Sequence, residues 1–153
     1  MKNLGIYVHI PFCKQKCEYC DFVSFSGIEE KQEKYVEAVL LDIKNSSEKI
    51  IDYQIDTIYF GGGTPSYIDS SGIEKILKTI RELYHVGEDA EITIEVNPGT
   101  VDKEKLLAYK NMGINRLSIG LQSTHDRLLE LIGRIHHYQE FLDTYRMARE
   151  VRI

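Results

Sequence analysis

The chain alternates short apolar segments of strand character with longer amphipathic segments of helical character. The strand-like segments cover residues 6–10, 57–60, 91–96 and 116–121, and each runs into a loop that contains proline, glycine or polar residues. Apolar residues recur at helical spacing over residues 28–45, 71–83, 101–112, 125–132 and 138–151. Strand, loop and helix therefore repeat four times, which predicts parallel βα units with right-handed crossovers.

The ends of the predicted helices carry local signals. Ser71 and Glu74 have the spacing of a capping box, which predicts the start of the second helix. Thr100 is the predicted N-cap of the third helix, and Gly113 its end. Gly133 is expected to end the fourth helix. The last helix is expected to turn four residues inward: Phe141, Leu142, Tyr145 and Ala148.

The two faces of the predicted strands differ in polarity. One face is aliphatic in all four strands, with Ile6 and Val8 in the first and Ile58 and Phe60 in the second. The other face carries polar, aromatic or small residues: Tyr7, His9, Thr57, Tyr59, Gly61, Thr93, Glu95, Ser118, Gly120 and Gln122. A doubly wound sheet, covered by helices on both sides, should be apolar on both faces. One polar face favours an α/β barrel or half-barrel, with its ligand site at the C-terminal ends of the strands.

Composition and charge narrow the range of functions. The 153 residues are 42% hydrophobic and 28% charged, which is typical of a globular domain and not of a disordered, collagen-like or coiled-coil chain. The formal charge of -5, without a block of Lys or Arg, argues against nucleic acid as a partner. No apolar run approaches the ~18 residues of a membrane span, and the first residues do not resemble a signal-peptide core. No transmembrane segment and a cytoplasmic location are therefore expected.

All three cysteines fall in one short segment. Cys13, Cys17 and Cys20 have the spacing C-x3-C-x2-C in the loop after the first strand, too close together for a disulfide framework across a fold. Three such thiolates suit a [4Fe-4S] cluster whose fourth iron stays open to another ligand. Two other interpretations remain at this point. One is a structural zinc site completed by a histidine, for which His9 is the nearest candidate, and the other is three unrelated buried thiols.

Three consecutive glycines follow the second strand. Gly61, Gly62 and Gly63 precede Thr64 and Pro65, and such a run is expected to lie in a loop outside any strand or helix. A backbone without side chains can bring its N–H and C=O groups close to a ligand. A tight strand-to-helix turn is the simpler alternative, but such a turn seldom needs three glycines.

Longer strings extend these motifs. The cysteine loop lies in YVHIPFCKQKCEYCDF and the glycine run in YFGGGTPS, and EVNPG, RLSIGLQS and LIGRIH follow in that order. Together they resemble the radical S-adenosylmethionine (SAM) superfamily. The wider match, over residues 6–150, is to the branch that contains oxygen-independent coproporphyrinogen III oxidase and HemW-type heme chaperones. The resemblance implies an α/β fold in which parallel βα units form part of a partial (β/α)6 barrel of TIM type, with four of the strands present.

The resemblance implies two cofactors, a [4Fe-4S] cluster and SAM. Cys13, Cys17 and Cys20 would hold the cluster, whose open iron would bind the amino and carboxylate groups of SAM. An electron passed to the sulfonium would release methionine and a 5'-deoxyadenosyl radical, while the protein positions the cofactors. A carboxylate inside an apolar barrel is costly without a partner, which favours a ligand or a base beside Glu95. By similarity, three residues would contact the cluster-bound SAM: Tyr7, Gly62 and Glu95.

Five further residues match positions at which the oxidase holds a second SAM: Tyr19, Gly63, Thr64, Gln122 and Arg134. Tyr19 stands where the oxidase has a phenylalanine. Arg134 directly follows Gly133, so a solvated helix cap is the alternative role for this arginine. Three histidines near helix ends are candidate heme ligands for which surface or capping roles are expected instead: His125, His136 and His137.

One local difference separates the members of this branch. The cysteine motif of the oxidase has the form C-x3-C-x2-C-x-C. In this chain Cys20 is followed by Asp21 and Phe22, which resembles the motif of the heme chaperones. The favoured hypothesis is a heme chaperone that binds SAM and transfers heme. The alternatives are coproporphyrinogen III oxidase, which performs anaerobic oxidative decarboxylation in porphyrin biosynthesis, a binding module that carries heme without radical turnover, and a zinc-stabilised structural βα domain. No catalytic residue is assigned.

The expected partners are SAM, heme or a porphyrin, and an electron-donor protein. Members of the family continue through further strands and a C-terminal domain that carries much of the substrate or heme contact. Residues 1–153 are therefore expected to be the N-terminal part of a radical SAM core domain, with the rest of the barrel and the C-terminal domain absent. The resemblance implies a protein able in principle to cleave SAM reductively, with an inactive fragment as the alternative, and oxidase activity is not expected.

Overall fold

Four parallel strands form one sheet in the computed structural model, which describes residues 2–153. The strands are β1 (Lys2–Ile10), β2 (Tyr53–Gly62), β3 (Val86–Val96) and β4 (Arg116–Ile119). They are hydrogen-bonded in the order β1-β2-β3-β4, so each strand lies beside its neighbour in sequence. A doubly wound sheet reverses its strand order, whereas an uninterrupted order is that of a βα barrel. The predicted α/β architecture is confirmed.

Five α-helices accompany the strands: α1 (Gln32–Ser46), α2 (Ser70–Leu83), α3 (Lys103–Asn111), α4 (Asp126–Leu131) and α5 (Tyr138–Val151). Short 3-10 turns add to them at Glu29–Lys31, Ser47–Ile50 and Pro65–Tyr67. Helix α1 packs on α2, α2 on α3, and α3 on α5. Over residues 2–153, no helix combines the length and the apolar composition that crossing a membrane requires.

The helices cover the aliphatic face of the sheet. Ile58, Phe60 and Ile94 have 0% of their surface exposed, and they form a common core with the buried residues of α2. On the opposite face Tyr7 is 58% exposed and Glu95 is half-buried. Burying one large apolar side chain contributes ~1.5–3 kcal/mol, so the aliphatic face accounts for much of the folding free energy. The predicted difference between the two faces is confirmed.

Strand lengths differ from the apolar patterns. The prediction that the glycine run lies outside the strand is wrong for Gly61 and Gly62, which pair with β1 as the last two residues of β2. Strand β3 begins at Val86 because this residue pairs with Ile55 of β2, although the stretch that follows it is polar. Strand β4 ends at Ile119, two residues before its predicted end. Hydrogen bonding to an adjacent strand thus sets the ends of a strand independently of its own pattern of apolar residues.

Two helix caps differ from the prediction. The carboxylate of Asp69 caps α2 and accepts the N–H of Ser71 at 2.8 Å. Asp102 caps α3 and accepts a backbone N–H at 2.8 Å. The Thr100 hydroxyl instead donates to the carbonyl of Asn97 at 2.6 Å. Aspartate is as good an N-cap as serine or threonine, so the local sequence offered competing caps at both helices.

Helix α5 has its predicted bounds, and Ala148 is buried as predicted, but the rest of its buried stripe differs from the prediction. Thr144, Ala148 and Val151 are buried, whereas Tyr145 is 50% exposed, so the predicted inward position of Tyr145 is wrong. The hydroxyl of Thr144 accepts the N–H of Gly99 at 3.4 Å and joins the helix to the loop after β3. A hydroxyl that satisfies a backbone donor can therefore take a buried position that an aromatic ring was expected to occupy.

Candidate cofactor site

The cysteine loop joins β1 to α1 and contains little regular structure. A parallel bridge between Phe12 and Phe25 closes the loop, and the Cys13 N–H donates to the Phe25 carbonyl at 2.9 Å. Cys13 is buried, while Cys17 and Cys20 are half-buried. The backbone thus ties the two ends of the loop together beside the end of β1, with the three thiols between them.

One cavity of about 270 Å³ brings most of the predicted site residues together. All three cysteines line it, together with every predicted cofactor-binding residue except Tyr7: Tyr19, Gly62, Gly63, Thr64, Glu95, Gln122 and Arg134. The cavity lies at the C-terminal ends of the strands, where the βα architecture places its ligand sites. A larger groove of about 520 Å³ at the opposite end of the sheet contains no cysteine.

Tyr7 lies beside the cavity rather than in its wall. Its ring stacks on Tyr59 with 6.1 Å between ring centroids, and its hydroxyl is 3.0 Å from Nδ1 of His9. Gly61 leaves room for both rings, because a Cβ there would lie 2.8 Å from Tyr59 and 3.0 Å from Tyr7. Burial, with a smaller contribution from the carboxylate of Glu95, raises the pKa of Tyr7. Tyr7 is thus connected to the cavity through its neighbours.

Two neutral donors of the protein pair with the carboxylate of Glu95. The Tyr59 hydroxyl donates to Oε1 at 2.8 Å and the Gly62 N–H donates to Oε2 at 3.2 Å. The expectation that a ligand or a base must pair with Glu95 is therefore corrected, although a carboxylate can accept about four hydrogen bonds and retains capacity for a ligand. Burial and the bond to Glu95 raise the pKa of Tyr59. Tyr59 was missed as a site residue, and its signal was its place on the polar strand face.

Gly62 and Gly63 lie close against the end of β1 and the cysteine loop. Gly62 has a φ of +117°, and a Cβ there would lie 2.7 Å from the ring of His9. A Cβ at Gly63 would lie 3.0 Å from Sγ of Cys13. Thr64 is buried, and its hydroxyl donates to the same Sγ at 3.5 Å. The absence of side chains therefore allows this segment to approach the cysteine loop.

A chain of polar contacts connects two of the cysteines. From Thr64, which donates to Cys13, the chain continues to Asn97, whose Nδ2 donates to the Thr64 hydroxyl at 2.8 Å. Arg134 follows, with Nη2 donating to Oδ1 of Asn97 at 2.9 Å and Nη1 donating to Sγ of Cys17 at 3.7 Å. Asn97 was not among the predicted site residues. Its signal was its position directly after β3, where strand ends face the ligand site.

The segment between α4 and α5 docks onto the cysteine loop. The Glu18 N–H donates to the Ile132 carbonyl at 3.1 Å, and Nε2 of Gln15 donates to the Gly133 carbonyl at 3.2 Å. Gly133 has a φ of +74°, and a Cβ there would lie 3.2 Å from the backbone of Glu18. Arg134 is half-buried with defined acceptors, so the alternative of a solvated cap is wrong.

The histidines differ in their surroundings. His136 is 2% exposed, so the expected surface or capping role is wrong for this residue. Its Nδ1 accepts a hydrogen bond from Nε of Arg134 at 3.3 Å, and its Nε2 lies 3.2 Å from the Leu121 carbonyl. Burial and the charge of Arg134 lower the pKa of His136, which favours a neutral ring whose Nε2–H donates. His125 and His137 are exposed at the starts of α4 and α5, as expected.

Tyr19 and Gln122 lie at the rim of the cavity. Tyr19 is 50% exposed, and partial burial raises the pKa of its hydroxyl. Gln122 has a φ of +68°, a left-handed conformation that is uncommon for a residue other than glycine. Such conformations cluster at functional sites, which agrees with the position of Gln122 in the cavity wall.

The thiols do not form a site for a single ion. Within residues 2–153, no three side chains of His, Cys, Asp or Glu converge closely enough to hold one metal ion. A cluster distributes its cysteine ligands over several irons and does not require them to meet at one point.

Comparisons with known proteins give a consistent result. A family model described as the Radical SAM superfamily matches residues 7–153. The chain is 43% identical over 143 residues to the heme chaperone HemW of Synechocystis sp., covering 90% of this chain and 34% of that protein. It is 41% identical over 138 residues to the heme chaperone HemW of Escherichia coli (strain K12), covering 90% of this chain and 36% of that protein.

A solved structure agrees with these relatives. The chain superimposes on coproporphyrinogen III oxidase (HemN) from Escherichia coli, a radical SAM enzyme, with a TM-score of 0.91 and 30% sequence identity. The match covers 98% of this chain and 35% of that one. The chain therefore spans about a third of the length of these relatives. The resemblance in sequence and the predicted fold are both confirmed.

Proposed function

The chain belongs to the radical SAM superfamily, and on this premise we propose that it binds a [4Fe-4S] cluster and SAM as the radical SAM portion of a HemW-type heme chaperone. The observation that carries the proposal is one cavity that is lined by the three cysteines, by Gly62 and Gly63, and by Glu95. When bound, a cluster with an open iron supplies the electron for reductive cleavage of SAM. The protein contributes the ligands, the positions and the electrostatics.

The cysteine loop fits a cluster held by Cys13, Cys17 and Cys20. The chain has three cysteines and all of them line the cavity. Hydrogen bonds to cluster ligands stabilise thiolates, and donors from Thr64 and Arg134 lie 3.5 Å and 3.7 Å from two of the sulfurs. The three cysteines, the hydrogen-bond donors to their sulfurs and the close approach of Gly63 to Cys13 therefore suit a cluster.

The zinc alternative finds less support at His9, the nearest candidate for a fourth ligand. Its Nε2 lies 2.8 Å from the Val23 carbonyl, and its Nδ1 lies 3.0 Å from the Tyr7 hydroxyl. A carbonyl can only accept, so Nε2 donates to it, and in a neutral ring Nδ1 accepts from the Tyr7 hydroxyl. Both ring nitrogens thus have partners within the protein, and a zinc ion would have to displace one of them.

SAM would lie against the polar ends of β1 to β3. Glu95 has the remaining acceptor capacity for a ribose hydroxyl or an amino group, and Tyr59 keeps its carboxylate in place at 2.8 Å. The backbone of Gly62 and Gly63 would contact the methionyl group. Tyr7 would act from beside the cavity. By similarity to the oxidase, five residues would contact a second SAM: Tyr19, Gly63, Thr64, Gln122 and Arg134.

The names of the relatives favour transfer of heme over decarboxylation. The two relatives quoted above are heme chaperones, at 43% and 41% identity, whereas the oxidase is 30% identical. The sequence after Cys20 also lacks the fourth cysteine of the oxidase. Coproporphyrinogen III oxidase is the second candidate, because the TM-score of 0.91 places the backbone close to that enzyme. Heme or a porphyrin, and an electron donor, are the proposed partners.

Anaerobic reconstitution with iron and sulfide tests the cluster. We expect brown protein with about four irons and four sulfides per chain, which cleaves SAM when reduced. Cys17→Ser should lose the cluster, while Ser26→Ala, an exposed change at the end of the same loop, should retain it. Colourless protein that retains zinc after the same treatment would overturn the proposal in favour of a structural zinc domain.

Two assays on the reconstituted chain separate the chaperone from the oxidase. Hemin titration followed by the Soret absorbance should show saturable binding, and anaerobic incubation with coproporphyrinogen III, SAM and reductant should give no decarboxylated porphyrin. Decarboxylation without hemin binding would favour the oxidase. Hemin binding without formation of 5'-deoxyadenosine would indicate a binding module that lacks radical turnover.

A further inference from the structure

The guanidinium of Arg134 is held in one orientation against the cysteine loop. Its Nη1 donates to Sγ of Cys17 at 3.7 Å. Its Nη2 donates to Oδ1 of Asn97 at 2.9 Å and to the carbonyl of Gly120 at 2.8 Å, and its Nε donates to Nδ1 of His136 at 3.3 Å. Because all three nitrogens of a planar group have acceptors, the group has little freedom to rotate.

None of the oxygen and nitrogen acceptors around Arg134 carries a negative charge. They are an amide oxygen, a backbone carbonyl and the ring of His136, whose lowered pKa favours the neutral form. In the part of the chain that the structure describes, no ion pair includes Arg134. A half-buried cation without a carboxylate partner is best stabilised by another anion. Nη1 of Arg134 faces the sulfur of Cys17, and the hydroxyl of Tyr19 lies beside both groups.

A cation beside a cluster ligand changes the energetics of electron uptake. Reduction adds one negative charge to a cluster and its thiolates, so a nearby positive charge favours the reduced state. Hydrogen bonds to the sulfurs act in the same direction and are among the factors that set the potentials of iron–sulfur proteins. The contact between Arg134 and Cys17 supplies both effects at one ligand.

We propose that Arg134 is a fixed, positively charged donor to the Cys17 thiolate and raises the reduction potential of the cluster. This inference rests on the proposed function, since it requires a cluster on the three cysteines. It assigns Arg134 a role toward the cluster itself, which differs from the contact with a second SAM that similarity to the oxidase implies. Asn97 and His136 then act as positioning residues, because they touch the guanidinium and not the sulfur.

A redox titration of the reconstituted chain tests the inference, with the reduced cluster followed by electron paramagnetic resonance. Arg134→Gln should shift the midpoint to a more negative value. A tenfold fall in the ratio of reduced to oxidised cluster at a fixed potential corresponds to ~59 mV for a one-electron couple, and a shift of about this order is expected. Arg127→Gln removes the same charge from an exposed position on α4 and should leave the midpoint unchanged.

The outcomes distinguish this inference from the proposed function. If the unaltered chain assembles no cluster, the proposed function fails and this inference with it. If it assembles a cluster and Arg134→Gln has the same midpoint, only this inference is overturned. Should Arg134→Gln fail to assemble a cluster, Asn97→Asp decides the matter. It places a carboxylate beside Nη2 and should also lower the midpoint, so an unchanged value there would overturn the inference.

Discussion

The two faces of the sheet come from the same strands, yet one supplies stability and the other supplies the site. Phe60 has 0% exposure in the core beneath the helices, while its neighbour Tyr59 points to the opposite face and donates to Glu95 at 2.8 Å. Successive side chains of a strand alternate between faces, so adjacent residues belong to different environments. Stability and ligand binding should therefore separate between residues that are neighbours in sequence.

The largest expected effect is on the aliphatic face. Phe60→Ala should reduce the free energy of unfolding by ~3–5 kcal/mol, because it removes a fully buried aromatic ring and leaves a cavity. Urea denaturation followed by circular dichroism measures the change. Thr57→Ala, at an exposed position three residues earlier in the same strand, is the control and should change stability much less. Equal losses at the two positions would contradict the division of the sheet into two faces.

The next largest loss of stability is expected at Gly62, the last residue of β2. Gly62→Ala should cost ~1–3 kcal/mol, since a side chain at a φ of +117° is strained and its Cβ would lie 2.7 Å from the ring of His9. Gly27→Ala is the matched control, because Gly27 also has a positive φ but nothing lies within 4 Å of the added Cβ. The same denaturation series compares them. A loss at Gly27 as large as that at Gly62 would show that the close contact is not what matters.

A smaller effect on stability is expected on the polar face. Tyr59→Phe removes the donor to Glu95 and should cost ~1 kcal/mol, close to the net value of one hydrogen bond. Tyr59→Phe should also weaken the affinity for SAM, because the carboxylate of Glu95 loses the hydroxyl that positions it. Calorimetric titration of the reconstituted chain with SAM measures this affinity. Tyr53→Phe at the other end of β2 should leave it unchanged, and a weakened affinity there would contradict a local role for Tyr59.

The smallest effect is on the pH dependence of stability. The folded-state pKa of His136 is lowered by burial and by Arg134, so the unfolded chain binds the proton more readily. Stability should then fall as the pH decreases below the unfolded value of about 6.5. His136→Gln should flatten this part of the profile, and His85→Gln, at an exposed position, should not. Thermal unfolding of the chain between pH 5 and 7 tests the difference.

Patterns within single segments predicted much of the fold. The order of the elements and the bounds of α5 follow from local periodicity, since α5 spans Tyr138–Val151 as expected. Patterns failed where another segment determines the structure. The start of β3 at Val86 depends on its pairing with Ile55, and the buried stripe of α5 depends on Thr144 reaching the loop after β3.

The residues of the candidate site likewise divide into those that a local motif predicts and those that only contacts between distant segments place there. The cysteines and the glycine run were visible because each is a dense local motif. Asn97 was missed, and His136 was assigned a surface or capping role, because neither residue shows its contacts within its own segment. Both gain their place through Arg134, which lies 37 residues from Asn97 in the chain and 2.9 Å from it in space.

The sequence alone determined which strands are two-faced, where the three cysteines lie and which family these motifs belong to. Those properties depend on neighbouring residues, whose geometry along a strand or loop is set by the backbone. The tertiary structure alone decided which donors surround Glu95 and Cys17, because Tyr59 and Arg134 come from distant segments. Contacts of that kind form only when the sheet brings the ends of its strands together, which no local pattern encodes.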